Sequence, residues 1–525
     1  MRLQSVVAAA ITTGVAASNF PHACSSLASR LSIPNTTISS TSFVAAGTNL
    51  TFPTLDPSCA PLFQVVSSDV CRVVLDIATS NRSRTVTEVW LPSNWTGRFL
   101  ATGNGGIGGC IQYYDVDYGA SLGFATTGSD GGHSGQNGTL WLNNIDVVID
   151  YSFRSLLASA QVGKQVTDDF YGAAHKKSYY LGCSTGGRQG WKMAQDHPDV
   201  FDGIVAGAPV LSFGIQTAFV GMFYPIIATA GPDGFPPPSL WPVIDAEILK
   251  QCDGIDGAID GIIEEPTRCH FRPEALLCSP AKNSSSCLTP KQVDTVRAIF
   301  GPLIVDGIPP MSGLAYGPGL VAAIFATFSG PGQFLFTDNW YRFAIFNDPS
   351  FNATFLTPEE ITFGWNLNPG GVNTWSGDLS HLKNRGSKIL HYHGQQDTIV
   401  PSANSNRYYE LVAKTMNLPH TSIDDFYRFF RISGMGHCAT GQGAVSIGNM
   451  ETNLAGLDPS ENVLTAMVRW VEEGIAPDTI TGTAFIDQNP ASGVDFRRAH
   501  CRYPYRNVFT GKGSVKDPGN WKCIL

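Results

Sequence analysis

Residues 85–91 (TVTEVWL) alternate apolar with polar positions, a period of two that predicts a strand with one buried face. Short apolar runs follow at 98–102 (RFLAT), 123–127 (GFATT), 178–181 (SYYL) and 203–207 (GIVAG). Each is too short for a helix and is bounded by glycine or polar residues, so each predicts a further strand. Helical spacing is found between them, at 158–170 and 188–195. Strands alternating with helices predict an α/β fold on a parallel sheet covered on both faces. The pattern breaks over 208–387 and resumes at 388–393 (KILHYH) and 426–432 (FYRFFRI). We read 19–207 and 388–525 as the catalytic domain and 208–387 as an inserted lid. A separate binding module is the alternative, but the segment's place between strands of one sheet favours a lid.

Composition narrows the class. Of 525 residues only 15% are charged, against roughly 25% for an ordinary soluble chain. Gly (55) and Pro (33) imply long irregular connections over a core. The net charge of −9 without any basic block excludes nucleic acid and anionic lipid surfaces as partners, since both need clustered Lys and Arg. Met1-Arg2, an apolar run from Val6 to Val15 and the small residues Ala16 and Ala17 predict a secretory signal over 1–18. The even set of twelve cysteines (Cys24, Cys59, Cys71, Cys110, Cys183, Cys252, Cys269, Cys278, Cys287, Cys438, Cys501 and Cys523) then predicts six disulfides. N-x-S/T sequons at Asn35, Asn49, Asn81, Asn94, Asn137, Asn283 and Asn352 predict an extracellular glycoprotein. The stretch 203–231 has no charge, but Pro209, Gln216 and Pro225 interrupt it, and it predicts a buried strand, loop and helix rather than a membrane span.

Candidate chemistry begins at Gly182-Cys183-Ser184-Thr185-Gly186, a G-x-S-x-G turn between a predicted strand and a predicted helix. Such a turn exposes the serine above the sheet at a helix N-terminus. A serine hydroxyl needs a base and an orienting acid. Asp397 follows the strand at 388–393, and His437 lies in the small-residue turn Gly434-Met435-Gly436-His437-Cys438 after the strand at 426–432. Ser, Asp, His is the chain order of α/β hydrolases. Cys183 adjoins the nucleophile and Cys438 the base, so a bond between them would hold both backbones together across 255 residues of chain.

The motifs Cys183-Ser184, Asp397 and His437-Cys438, with 182–190 (GCSTGGRQG) and 202–209 (DGIVAGAP), resemble those of the fungal and bacterial tannase/feruloyl esterase family. The resemblance implies an α/β-hydrolase fold with a large inserted lid and hydrolysis of hydroxycinnamoyl or galloyl esters, with plant cell-wall phenolic esters as substrates and no organic cofactor. Galloyl hydrolysis is the nearest alternative. A secreted binding glycoprotein with a dead hydrolase fold is the second, and the intact triad argues against it. The expected oxyanion donors are the amide of Thr185 and that of Gly105 or Gly106 in the GNGG loop. Asp253, Asp256 and Asp260 (DGIDGAID) place hard oxygens on a glycine-rich loop, suited to Ca²⁺ or to plain solvation. The resemblance favours a structural Ca²⁺ held by these aspartates with the carbonyls of Ala258 and Ile262. Phe325, Phe328, Phe334, Phe336, Trp340, Tyr341, Phe343 and Phe346 crowd the lid and read first as core, and His133 reads as structural.

Overall fold

The computed structural model describes residues 19–279, 286–317, 319 and 334–525. The predicted signal, Asn283, Phe325 and Phe328 lie outside the described residues. Among the described residues nine strands build the central sheet: β1 (Thr36–Val44), β2 (Val70–Ala78), β3 (Arg84–Pro92), β4 (Arg98–Thr102), β5 (Phe124–Ser129), β6 (Lys177–Cys183), β7 (Gly203–Gly207), β8 (Lys388–Gly394) and β9 (Tyr427–Ile432). Their spatial order is β1-β2-β3-β5-β4-β6-β7-β8-β9. From β5 to β9 every pairing is parallel. β1, β2, β3 and β5 pair antiparallel.

The all-parallel sheet predicted above is therefore corrected to a mixed one. The cause is loop length: only residues 79–83 separate β2 from β3, and a parallel neighbour needs a crossover of a dozen or more residues. Helix α1 (Tyr113–Ser121) follows β4, and α2 (Ser155–Tyr171) leads into β6. Helix α3 (Thr185–Asp196) starts three residues before the predicted 188, directly after Ser184. Thr185-Gly186-Gly187 has poor helix propensity, so close packing decides the boundary. A Cβ on Gly187 would lie 2.1 Å from Gly207 O.

No described residue of 208–387 joins the sheet. The segment instead forms helices α4 (Phe213–Gly221), α5 (Phe223–Gly234), α6 (Trp241–Cys252), α7 (Pro290–Phe300) and α8 (Pro358–Leu367), among shorter turns. Residues Phe213–Gly234 are long and apolar enough to cross a membrane by length and composition. Phe213, Phe219 and Phe223 are spent on a core shared with Ile244, Val296 and Trp340 of the insertion and with Trp141 and Tyr151. At the far end of the insertion Leu379 and Leu382 pack into the core under the sheet. Of the aromatics read as core, Trp340, Tyr341 and Phe343 are buried, and Phe346 stacks on Phe351 and Phe363.

All twelve cysteines pair, as Cys24–Cys71, Cys59–Cys110, Cys183–Cys438, Cys252–Cys269, Cys278–Cys287 and Cys501–Cys523. Beyond β9 the chain adds two antiparallel ribbons, Thr479–Phe485 with Val494–Cys501 and Arg506–Phe509 with Trp521–Ile524.

Candidate active site

Ser184 directly follows β6 with φ +62° and ψ −120°, a positive-φ conformation costly for any side chain. Close approach of three backbones enforces it. A Cβ on Gly186 would come within 3.0 Å of Asn104 O, and one on Gly182 within 2.9 Å of the Gly186 carbonyl. The two glycines of the motif thus let the turn press against the loop after β4. Ser184 N–H donates to Gly207 O at 3.0 Å, fixing the turn to β7.

The ends of β8 and β9 deliver the other two members. His437 Nε2 is 2.9 Å from Ser184 Oγ, and His437 Nδ1 is 2.7 Å from Asp397 Oδ2. The carboxylate accepts only, so Nδ1 carries the proton and Nε2 is left to accept from the serine hydroxyl. Asp397 Oδ1 accepts from the amides of Ile399 and Val400, each at 2.8 Å. Burial works against the charge on Asp397, but His437 and His393 outweigh it and hold the carboxyl well below the usual range. It therefore remains an anion able to stabilise an imidazolium. Cys183 and Cys438 are bonded, with Cα atoms 5.9 Å apart.

The GNGG loop is pinned by side chains. Asn104 N–H donates to Gln189 Oε1 of α3 at 3.0 Å, and Asn104 Nδ2 donates to Ser129 O and Cys110 O. Thr185 Oγ1 donates to Gly106 O, tying the loop to the residue after Ser184. Gly105 and Gly106 consequently line a cavity of about 190 Å³ together with Ser184 and His437. Phe336 abuts Gly106, where an added Cβ would meet its ring at 3.1 Å.

Two features escaped the sequence reading. His393 Nε2 lies 3.2 Å from Asp397 Oδ2 and 3.0 Å from Val400 O, while Nδ1 lies 2.7 Å from Ser405 Oγ. The signal for it was the H-Y-H alternation of β8, which puts His391 and His393 on one strand face. On the far wall of the cavity are Gln112, Tyr114, Asp115 and Met450. Asp115 is buried, Oδ1 has no hydrogen-bond partner, and burial with the neighbouring Glu451 pushes its carboxyl far up. His133 is buried against Trp141 and Tyr151, where burial lowers it to about 4 and keeps it neutral.

The predicted metal loop is folded around its own amides. Asp253 Oδ2 accepts from Gly261 N–H, Asp256 Oδ1 from Ala258 N–H and Asp260 Oδ1 from Ile262 N–H. Among the described residues no three acidic, His or Cys side chains gather closely enough to hold an ion alone. Asp253 Oδ1 is nevertheless buried without a partner, and burial, then Glu264 and Asp260, push Asp256 up to about 7. The loop's neighbours Glu264 and Glu265 are tied to other segments. Glu264 accepts from Ser433 Oγ and from Arg498 Nη1, and Glu265 pairs with Arg431, on the segment that leads to His437.

The family model described as "Tannase and feruloyl esterase" matches residues 71–322 and 366–524. The chain is 45% identical over 507 residues to "Probable feruloyl esterase B-2" of Aspergillus terreus, covering 96% of each. It is 44% identical to "Feruloyl esterase C" of Talaromyces stipitatus, over 97% of this chain and 95% of that one. Feruloyl esterase B from Aspergillus oryzae superposes with a TM-score of 0.92 at 41% identity, over 96% of this chain and 100% of that one. Tannin acyl hydrolase from Aspergillus niger shares the fold, with a TM-score of 0.75 at 22% identity over 96% of both chains. A match spanning nearly the whole chain, on a sheet that brings Ser184, His437 and Asp397 into one hydrogen-bonded row, makes this protein an α/β hydrolase of the tannase and feruloyl esterase family.

Proposed function

We propose that the protein is a secreted serine carboxylesterase acting on hydroxycinnamoyl esters of plant cell-wall polysaccharides. The observation that carries this reading is the Ser184–His437–Asp397 row beside a glycine loop in a cavity. The names of its full-length relatives support the acyl group. Ser184 Oγ attacks the ester carbonyl while His437 Nε2 takes its proton; the Thr185 amide and that of Gly105 or Gly106 receive the oxyanion. His437 then protonates the leaving alcohol. Water, deprotonated by the same imidazole, releases the acid and restores Ser184. Asp397 keeps Nδ1 protonated and stabilises the imidazolium throughout.

Secretion is supported by the six disulfides and by the exposure of Asn35, Asn49, Asn81, Asn94, Asn137 and Asn352, whose sequons are open to glycosylation. A structural calcium ion is part of the proposal. Asp253, Asp256 and Asp260 with the carbonyls of Ala258 and Ile262 would hold it, and the orphaned Asp253 Oδ1 fits that donor set. Bound there, it would neutralise the loop's crowded carboxylates.

Hydrolysis of methyl caffeate, p-coumarate and ferulate against methyl gallate tests the acyl group. The vinyl spacer sets the carbonyl farther from the ring than in gallate, so one pocket cannot hold both at attack distance from Ser184. We expect kcat/KM for the best hydroxycinnamate to exceed that for gallate by about tenfold or more. Equal or reversed preference moves the assignment to galloyl esters. Absence of turnover together with no fluorophosphonate labelling of Ser184 leaves only a binding protein.

A further inference from the structure

A second cavity, of about 290 Å³, lies between the far side of the His437 loop and the ribbon formed by Thr479–Phe485 and Val494–Cys501. Its position relative to the first is fixed by shared segments. The catalytic cavity is walled by His437, Cys438 and Met450; the second takes up the same two stretches of chain at Ala439, Thr440 and Thr452. The two hollows therefore adjoin along one loop. That loop is braced: Gly436 N–H donates to Thr440 O, Met435 bridges Gly441, and Ser446 bridges Thr483 of the ribbon. Walls held this way need little ordering when a ligand enters.

The lining chemistry selects a ligand class. No Lys or Arg lines the second cavity, Asp487 does, and Asp495 is ion-paired with Lys516, so a phosphate, sulfate or uronate chain finds no cation on the wall to pair with. The wall is too polar for a lipid or a second aromatic acid. Phe485 and Phe496 are half-buried and flank it, offering apolar faces for the C–H side of a sugar ring. Thr440, Gln442 and Gln488 supply hydroxyl and amide groups at the open side, and Thr483 Oγ1 is buried in the wall without a hydrogen-bond partner. Faces for stacking among neutral donors and acceptors match a polyol ring.

We infer that this cleft is a subsite for the neutral saccharide chain to which the scissile ester is attached. The inference rests on the esterase reading for its role but not for its binding. A polysaccharide laid across Phe485 and Phe496 would present its ester to Ser184 along the His437 loop. Its binding energy would raise kcat/KM on the natural substrate and leave a methyl ester untouched.

The test uses the intact protein, a feruloylated arabinoxylo-oligosaccharide, the same oligosaccharide stripped of its ester, and methyl ferulate. Titration by saturation-transfer NMR should show the stripped oligosaccharide binding, and Phe496→Ala should weaken it about tenfold. Gln488→Ala, at the exposed rim, serves as the second variant and should weaken it by a smaller factor. Both should lower kcat/KM on the feruloylated oligosaccharide and leave methyl ferulate turnover within about twofold of the parent. No binding of the stripped oligosaccharide, binding indifferent to both substitutions, or a parallel loss on methyl ferulate overturns the subsite. An unmodified protein that binds the oligosaccharide but turns over no ferulate ester keeps the subsite and overturns the esterase reading.

Discussion

His393 and His437 share one oxygen of Asp397: Oδ2 lies 2.7 Å from His437 Nδ1 and 3.2 Å from His393 Nε2. His393 is itself held by Ser405 and Val400, so the carboxylate is aimed from behind by a fixed ring. Replacing that ring by an apolar side chain lets the carboxylate turn within its pocket. We expect His393→Leu to lower kcat about ten- to a hundredfold with KM little changed, since small misplacements at the triad are costly. Steady-state kinetics on a variant shown to be folded by circular dichroism checks this; unchanged kcat removes His393 from the positioning machinery.

Ser184→Ala and His437→Ala should each reduce kcat by about four orders of magnitude, and the double variant should be scarcely worse, because the three groups act as one unit. Single-turnover assays with an acyl-enzyme trap decide it. Additive losses would mean that the two residues act separately.

The bond between Cys183 and Cys438 holds the turn of Ser184 and the loop of His437 at a Cα separation of 5.9 Å. A Cys183→Ala/Cys438→Ala variant should lose activity out of proportion to its loss of melting temperature, with a rate deficit near a hundredfold. Equal proportional loss would make the bond a general staple with no role in aligning the triad.

Calcium should copurify with the protein. Chelation should remove the linkage free energy, about 3 kcal/mol when the free ion stood at a hundred times its Kd, and the melting temperature should fall with it. Asp253→Asn should abolish the response to chelator. Elemental analysis without calcium, together with a chelator-insensitive melt, rejects the site.

His500 predicts a pH dependence of folding. Its Nε2 lies 2.8 Å from Ala444 O, and its Nδ1 accepts from Ser433 N–H at 3.4 Å, an arrangement open only to a neutral ring. Burial is the main cause that lowers it to about 4, with Arg498 adding to the shift and the bond to Ala444 opposing it. Between that value and the unfolded value of about 6.5, the unfolded chain binds the extra proton, so this group's contribution is lost as pH falls through the window. The slope from one such group approaches about 1.4 kcal/mol per pH unit. Glu451 and Asp130, raised to about 7 and about 6 mainly by burial, act in the opposite direction, so the readout is a difference. His500→Gln should lose less stability than the parent between pH 6.5 and 4.5 in denaturant titrations. Identical slopes reject the assignment.

The strands from 85 onward and the hydrogen-bonded row of Ser184, His437 and Asp397 were legible because each depends on local pattern: alternation or an apolar run for the strand, and a small-residue turn at its end for the row. β1 and β2 were passed over, although Val70–Ala78 buries alternate residues, because alternation alone does not tell a strand of the sheet from a surface ribbon. His393 was passed over although its partners Asp397, Val400 and Ser405 are near in sequence, because only the fold of the chain after β8 turns them onto its ring; Asp115 reaches the cavity from a helix distant in sequence. The same holds for Glu264 and Glu265, whose contacts with Arg431, Ser433 and Arg498 bring the acidic loop against the segment leading to His437.

The Cys183–Cys438 bond closes a ring of chain that contains the whole insertion. A protease that cuts a loop within the insertion opens the ring without dividing the molecule. The fragment bearing Ser184 and the fragment bearing Asp397 and His437 remain one covalent species beside the same cavity. Nicked into two polypeptides, the protein thus keeps Ser184 tethered to His437, so a doublet on a reducing gel need not mean a dead protein.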